Sequence, residues 1–214
     1  SIAPGFPFAG DSPFRTAPII VAHNNIDFIV GGTEEGTLYG IYPNGTLKFE
    51  YHTEYPITTS PSIYNDNGYF YIIFGNSNGD IYALDFNGNE NSDFLIATGH
   101  SISSSILFAD LNNNNSAEII ILDEGGFLTV LNSNLISFNN TPIQYDFEFS
   151  SAPTISDIDQ DGDLEVLGGT VNSLYAVDFK DLSTLDEGWN TFRGNHKRNG
   201  LFLGNSCTPG DLND

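Results

Sequence analysis

The chain has 214 residues and carries 28 Asp plus Glu against 6 Lys plus Arg, a formal charge of −22. This length buries a real core, as one domain or as a stack of small units. The charge repels nucleic acid and anionic membrane surfaces, so neither is an expected partner, and it attracts cations, calcium among them. No apolar run approaches the roughly 18 residues of a membrane-spanning helix, so no membrane insertion is expected. The single Cys207 leaves no internal disulfide framework and no cysteine-ligated zinc site. The absence of Met predicts a processed or excised piece of a larger parent polypeptide, its signal peptide gone. Abundant Asn, Gly, Asp and Ser suit a secreted or cell-surface protein.

In chain order, short β-branched and aromatic runs alternate with Gly, Asn and Asp turns, and no stretch keeps an apolar period near 3.6. Residues 1–16, with GFPF at 5–8, read as an outer strand. Next come a small-residue lead-in, Thr16-Ala17-Pro18, and the string IVGGTEEGTLYGIYPNG at 29–45. The pair recurs as Thr59-Ser60-Pro61 with IIFGNSNGDIYALDFNG at 72–88, and as Ser104-Ser105-Ile106 with IILDEGGFLTVLNSN at 120–134. A fourth copy is Ser151-Ala152-Pro153 with VLGGTVNSLYAVDFKD at 166–181. From Pro18 to Pro61 to Ile106 to Pro153 the steps are 43, 45 and 47 residues.

Two coupled motifs at one period define a repeat of the size of a propeller blade. The sequence therefore predicts an all-β β-propeller spanning 1–200, with approximate repeats 17–59, 60–104, 105–151 and 152–200. The small-residue lead-ins become innermost strands, and the polar stretches 47–51 and 145–149 become outer strands. Residues 1–16 either complete the fourth blade and close a four-bladed ring or end a blade of a larger one. Residues 201–214 read as a linker toward an absent C-terminal module.

The fourth repeat contains DIDQDGDLE at 157–165. Asp157, Asp159 and Asp161 fall at loop positions 1, 3 and 5, Gly162 at 6, and Glu165 at 9, while Asp163 at 7 offers its backbone carbonyl. A hard cation such as Ca2+ takes about six to eight oxygens at roughly 2.3–2.6 Å, and Gly permits the sharp turn. The carboxylates repel one another unless a cation joins them. The third repeat carries a less charged cognate, DLNNNNSAE at 110–118. Asp110, Asn112, Asn114, Ser116 and Glu118 hold the same positions, with Asn115 in the place of Gly162. Asn coordinates through its amide oxygen and tolerates a left-handed backbone. In the first two repeats only short turns stand here, 23–26 and 65–68, which read as metal-free hairpins.

Pro153-Thr154-Ile155, the 157–165 loop and Gly168-Gly169 give the chain a resemblance to the FG-GAP and VCBS repeat family, whose propeller repeats also occur in integrin alpha chains. The strands at 81–85 and 174–178 also look like repeats of quinoprotein-like propellers. The resemblance implies calcium held between two strands of a blade, in adhesion or ligand-binding parts of secreted proteins. Only one repeat carries the full loop, and no Trp follows ALDFNG, which argues against a quinone cofactor. GWNTFRGNHKRNG at 188–200 looks like a segment flanking such propellers, with Trp189 and Phe192 packed on the last blade and the cations neutralising nearby carboxylates. GDLND at 210–214 resembles the opening of a dockerin-type calcium repeat.

No catalytic constellation emerges. His23, His52, His100 and His196 lie in different repeats without metal-ligand spacing, and HExxH, GxSxG and phosphate-cradling loops are absent. The sequence thus favours a non-catalytic, calcium-binding module for a glycan or protein ligand. A polysaccharide lyase or glycosidase is the alternative, because a carboxylate pair among 28 acidic residues is invisible in sequence. It predicts a pocket with two carboxylates a few ångströms apart. A structural spacer is the third reading.

Overall fold

In the computed structural model the described residues are 2–138, 140–181, 183, 189–194 and 197–204. Their regular elements are all strands, sixteen in number. The runs chosen by β-branched and aromatic content form them: IDFIVGG is β2 (Ile26–Gly32), YFYIIFG is β6 (Tyr69–Gly75) and EIIIL is β10 (Glu118–Leu122). No helix is long and apolar enough to cross a membrane.

The strands form four sheets. The first combines β1 (Ile19–His23), β2, β3 (Thr37–Ile41) and β4 (Leu47–His52). β5 (Ser62–Asp66), β6, β7 (Asp80–Leu84) and β8 (Ile96–Ala97) make the second. The third contains β9 (Leu107–Ala109), β10, β11 (Phe127–Leu131) and β12 (Ile143–Gln144), and the fourth only β13 (Thr154–Ser156), β14 (Leu164–Gly169) and β15 (Leu174–Phe179). Each is an antiparallel meander, with β16 (Leu201–Leu203) added in parallel to β1.

The lead-in hydroxyls repeat one hydrogen bond. The Gly32 amide donates to Thr16 Oγ1 at 2.9 Å, Gly75 to Thr59 Oγ1 at 2.7 Å, and Gly169 to Ser151 Oγ at 2.9 Å. Between sheets the contacts are aromatic: Tyr51 meets Tyr82 at 5.8 Å, Tyr64 meets Phe108 at 4.9 Å, and Tyr145 meets Tyr175 at 4.2 Å. Phe28, Phe74 and Phe108 are fully buried, and every residue of β10 is buried. The core therefore lies between sheets, and strands such as β3 and β10, buried on both faces, read as continuous apolar runs, whereas β4 and β15 alternate.

The propeller expectation needs correction. The four sheets are separate, no strand ladder joins one to another among the described residues, and they are not closed or curled into a toroidal ring. The described residues of the 1–16 segment, 2–16, form no outer strand on the fourth sheet, which has three strands among the described residues. Pro4, Pro7 and Pro13 donate no ladder hydrogen bond, and the one β-bridge of the segment's described residues is Phe14–Thr33, on the first sheet. Phe8 and Phe14 pack on Tyr39 of the first sheet, at 5.3 and 5.8 Å. The 145–149 stretch is no strand either; β12 precedes it as the outer strand.

The C-terminal segment ties to several sheets. Trp189 is buried, and its carbonyl accepts from the Phe108 amide at 3.0 Å, while that of Asn190 accepts from Ile155 at 3.3 Å. Arg193 donates to the carbonyls of Pro18 and Asn199 rather than to carboxylates. The dockerin-like residues 210–214, Cys207 and His196 lie outside the described residues.

Candidate metal centre

The connection between the first two strands differs among the sheets. In the first two it is a two-residue turn, with Asn24 and Asn25 at φ 50° and 61°, and Asn67 and Gly68 at 50° and 91°. Two successive positive φ values are the type I′ hairpin geometry that Asn and Gly favour, matching the hairpins read at 23–26 and 65–68. In the third and fourth sheets the same connection is an acidic loop.

In the 157–165 loop the chain is turned by Gln160 and Gly162, at φ 64° and 96°. Asp157 serves this turn: its carboxylate accepts from the amides of Gln160 at 2.6 Å and Gly162 at 3.2 Å. Glu165, at the start of the β14 ladder, reaches back to accept from the Ile158 amide at 2.7 Å. These two residues fix the loop without any cation.

The remaining acidic side chains converge. Asp159, Asp161, Asp163 and Glu165 each bring a carboxylate oxygen to within 4.8 Å of the others. Among the described residues this is the one such group of three or more His, Cys, Asp or Glu side chains. Asp157, assigned to position 1 from sequence, is outside it, and Asp163 joins it through its side chain. Asp163 and Glu165 are 7% and 3% exposed, and Asp163 Oδ1 and Glu165 Oε1 are buried with no hydrogen-bond partner. Unsatisfied buried carboxylate oxygens are costly, so the donor set fits a cation. A half-buried acidic cluster that can coordinate a divalent cation is therefore present, with Asp159 and Asp161 exposed and Asp163 and Glu165 buried.

Two residues that sequence reasoning missed complete the electrostatics. The β14–β15 ladder sets Glu165 opposite Asp178, and Lys180 follows just beyond β15. Lys180 Nζ lies 3.2 Å from Asp161 Oδ2 and 3.6 Å from Asp163 Oδ2, and makes a short contact with Asp178 Oδ2. Asp161 falls to about 2, chiefly through hydrogen bonding with Asp163 and then with Lys180. Its partner Asp163 is pushed up to about 6 by that same contact, helped by burial. Lys180 is held above its ordinary value by Asp178 first and Asp161 second. The missed signal was the hairpin register that brings one of only six basic residues beside the loop.

The 110–118 loop repeats the backbone frame. Asn113 and Asn115 take φ 55° and 64°. Asp110 accepts from the amides of Asn112, Asn114 and Asn115, at 3.3, 3.0 and 2.6 Å. Glu118 accepts from the Leu111 amide at 2.8 Å. Asn112 Nδ2 donates to Glu118 Oε1 at 3.1 Å while its Oδ1 is buried without a hydrogen-bond partner, and Asn114 Oδ1 accepts from the Ser116 amide at 2.7 Å. Burial pushes Glu118 up to about 7, against the lowering effect of the Leu111 amide.

No family model matches the chain, and no curated protein matches it in sequence. Solved structures share its fold. The computationally designed Ika4 protein matches with TM-score 0.58 at 14% identity, covering 80% of this chain and 94% of that one. BamB from Moraxella catarrhalis matches with TM-score 0.57 at 15% identity, covering 85% and 50%. BBS1N, solved in complex with ARL6DN and soaked with mercury, matches with TM-score 0.54 at 10% identity, covering 78% and 49%. The chain spans about half the length of these last two, and at such identities the likeness is one of fold alone. The FG-GAP and VCBS resemblance, with its integrin-like and quinoprotein-like propellers, is corrected accordingly: no family model supports it and the closed ring it implies is absent. The adhesion or ligand-binding propeller module built on that ring falls with it.

The described histidines stay apart. His52 contacts Thr37 at 3.0 Å, His23 contacts Asn24 at 2.8 Å, and His100 Nδ1 lies 3.7 Å from Asp123 Oδ2. His100 and Asp123 line a cavity of about 360 Å3 with the apolar Leu95, Phe127 and Leu135. Asp123 is the one carboxylate on that wall. Its Oδ1 accepts from the Gly125 and Phe127 amides at 2.9 and 3.0 Å, so it caps a turn. The carboxylate pair that a glycosidase needs is not found there.

Proposed function

We propose that this chain is a calcium-binding all-β domain in which the 157–165 loop holds Ca2+ as a structural ion. The observation that carries the reading is the pair of buried, partnerless oxygens, Asp163 Oδ1 and Glu165 Oε1, on two of the four residues whose carboxylates converge. An all-oxygen, multiply anionic donor set suits a hard cation. Ligands on opposite sides of an ion with bonds of about 2.3–2.6 Å stand roughly 4.6–5.2 Å apart, and oxygens that all lie within 4.8 Å of one another are compatible with an ion of that size. The ion would neutralise the repulsion at the start of β14 and lock the loop onto the fourth sheet, which has three strands rather than four. A site of this kind fills where calcium is plentiful, which supports a secreted or cell-surface location for so acidic a chain.

Thermal unfolding in about 10 mM calcium and in chelator tests this reading. With a dissociation constant of roughly 0.1–1 mM, the parent gains about 1.4–2.7 kcal/mol, a shift of several degrees. Asp161→Ala removes the gain. Equal melting of the parent in calcium and in chelator refutes the site.

A further inference from the structure

We propose that Lys180 is a tethered counter-ion of the 157–165 loop, which a divalent cation displaces on binding and which thereby sets the affinity of the site and its preference for divalent over monovalent ions. The inference rests on the cation site proposed above and adds a competitor to it. Lys180 Nζ sits against one oxygen each of Asp161, Asp163 and Asp178. No other Lys or Arg forms an ion pair with this loop among the described residues. An ammonium has three donors and one charge, so it satisfies this cluster only in part: Asp163 Oδ1 and Glu165 Oε1 remain without partners beside it. A divalent ion accepting six to eight oxygens can engage what the ammonium leaves bare.

The geometry also provides for the exchange. The Lys180 side chain is 65% exposed, so it swings aside without leaving water. Asp178, its third partner, stands outside the group of four converging carboxylates. The ammonium keeps Asp178 while it gives up Asp161 and Asp163 to the incoming ion. A monovalent ion that displaces Lys180 brings no more charge than it expels, whereas a divalent ion brings twice as much. Lys180 thus discriminates by charge at a site whose carboxylates alone would attract either kind.

The test is calcium titration by calorimetry on the whole chain at fixed ionic strength, repeated in high NaCl, for the parent, Lys180→Gln and Lys180→Arg. One unit charge about 4 Å from a divalent ion in a water-like dielectric changes binding by up to roughly thirtyfold, less with salt screening. Lys180→Gln is expected to bind calcium about five- to thirtyfold more tightly, with NaCl competing more strongly, and to melt lower than the parent in chelator. Lys180→Arg stays within about threefold of the parent. If the parent binds calcium and Lys180→Gln binds it equally or more weakly, Lys180 is not a competitor and the inference fails while the site stands. If neither binds calcium, the site itself is refuted and this inference with it.

Discussion

The two acidic loops share a backbone and differ in charge. Each begins with an Asp that caps the turn through backbone amides, passes through two left-handed residues, and ends in a buried Glu that accepts from the second loop amide. At the inward positions the fourth-sheet loop has Asp159, Asp161 and Asp163, and the third-sheet loop has Asn112, Asn114 and Ser116. The less charged loop turns the Asn112 amide onto Glu118 and leaves one buried amide oxygen bare, whereas the more charged one leaves two buried carboxylate oxygens bare and draws in Lys180. The frame therefore needs no cation; the side chains placed on it decide whether one is required.

The largest effect expected is at the two glutamates. Glu118→Ala leaves the Leu111 amide unpaired and costs about 1–3 kcal/mol in calcium and chelator alike. Glu165→Ala loses the same kind of bond and the calcium increment too, so in calcium it costs about 3–5 kcal/mol. Urea unfolding of both variants in both buffers reads the difference, and equal costs in calcium would break the comparison.

Glu118 also makes the less charged loop sensitive to pH. Its carboxyl, pushed up to about 7 by burial from an ordinary 4.5, binds its proton more tightly in the folded chain than in the unfolded one. Its contribution is then complete below about pH 4.5 and is lost as pH rises through about 7, by at most roughly 3 kcal/mol. Urea unfolding in chelator at pH 5 and pH 8 should show this fall in the parent and a flatter profile in Glu118→Gln.

Converting one loop into the other is a sharper test. Asn112→Asp, Asn114→Asp and Ser116→Asp together should lower stability in chelator and create a second calcium response of about 1–2 kcal/mol. No added response would mean that the shared frame does not suffice. The smallest effects concern the turn itself. Gly162→Ala places a Cβ at φ 96° and costs about 1 kcal/mol, while Asn115→Gly changes thermal stability by less than about 0.5 kcal/mol.

Much of this was legible in the sequence because strands and turns are local. Ile119, Ile120 and Ile121 announce a buried strand, Asn67-Gly68 a hairpin, and the alternating aspartates a cation loop. The division of labour among those aspartates was not. Whether Asp157 or Asp163 points inward depends on the left-handed turns at Gln160 and Gly162, which spacing alone does not reveal. Lys180 was hidden for another reason, since only the pairing of Glu165 with Asp178 brings it beside the loop. Ring closure failed at the least local step. It required residues 1–16 to join the fourth sheet, whereas their prolines forgo ladder bonds and Phe8 and Phe14 settle on Tyr39.

The most direct measurement is the calcium stoichiometry of the whole chain by equilibrium dialysis, for the parent, Asp163→Asn and Asn114→Ala. The calcium site proposed at 157–165 predicts one ion per chain in the parent and in Asn114→Ala, and none in Asp163→Asn. A parent that binds no calcium, or an ion that survives Asp163→Asn and is lost in Asn114→Ala, would contradict it.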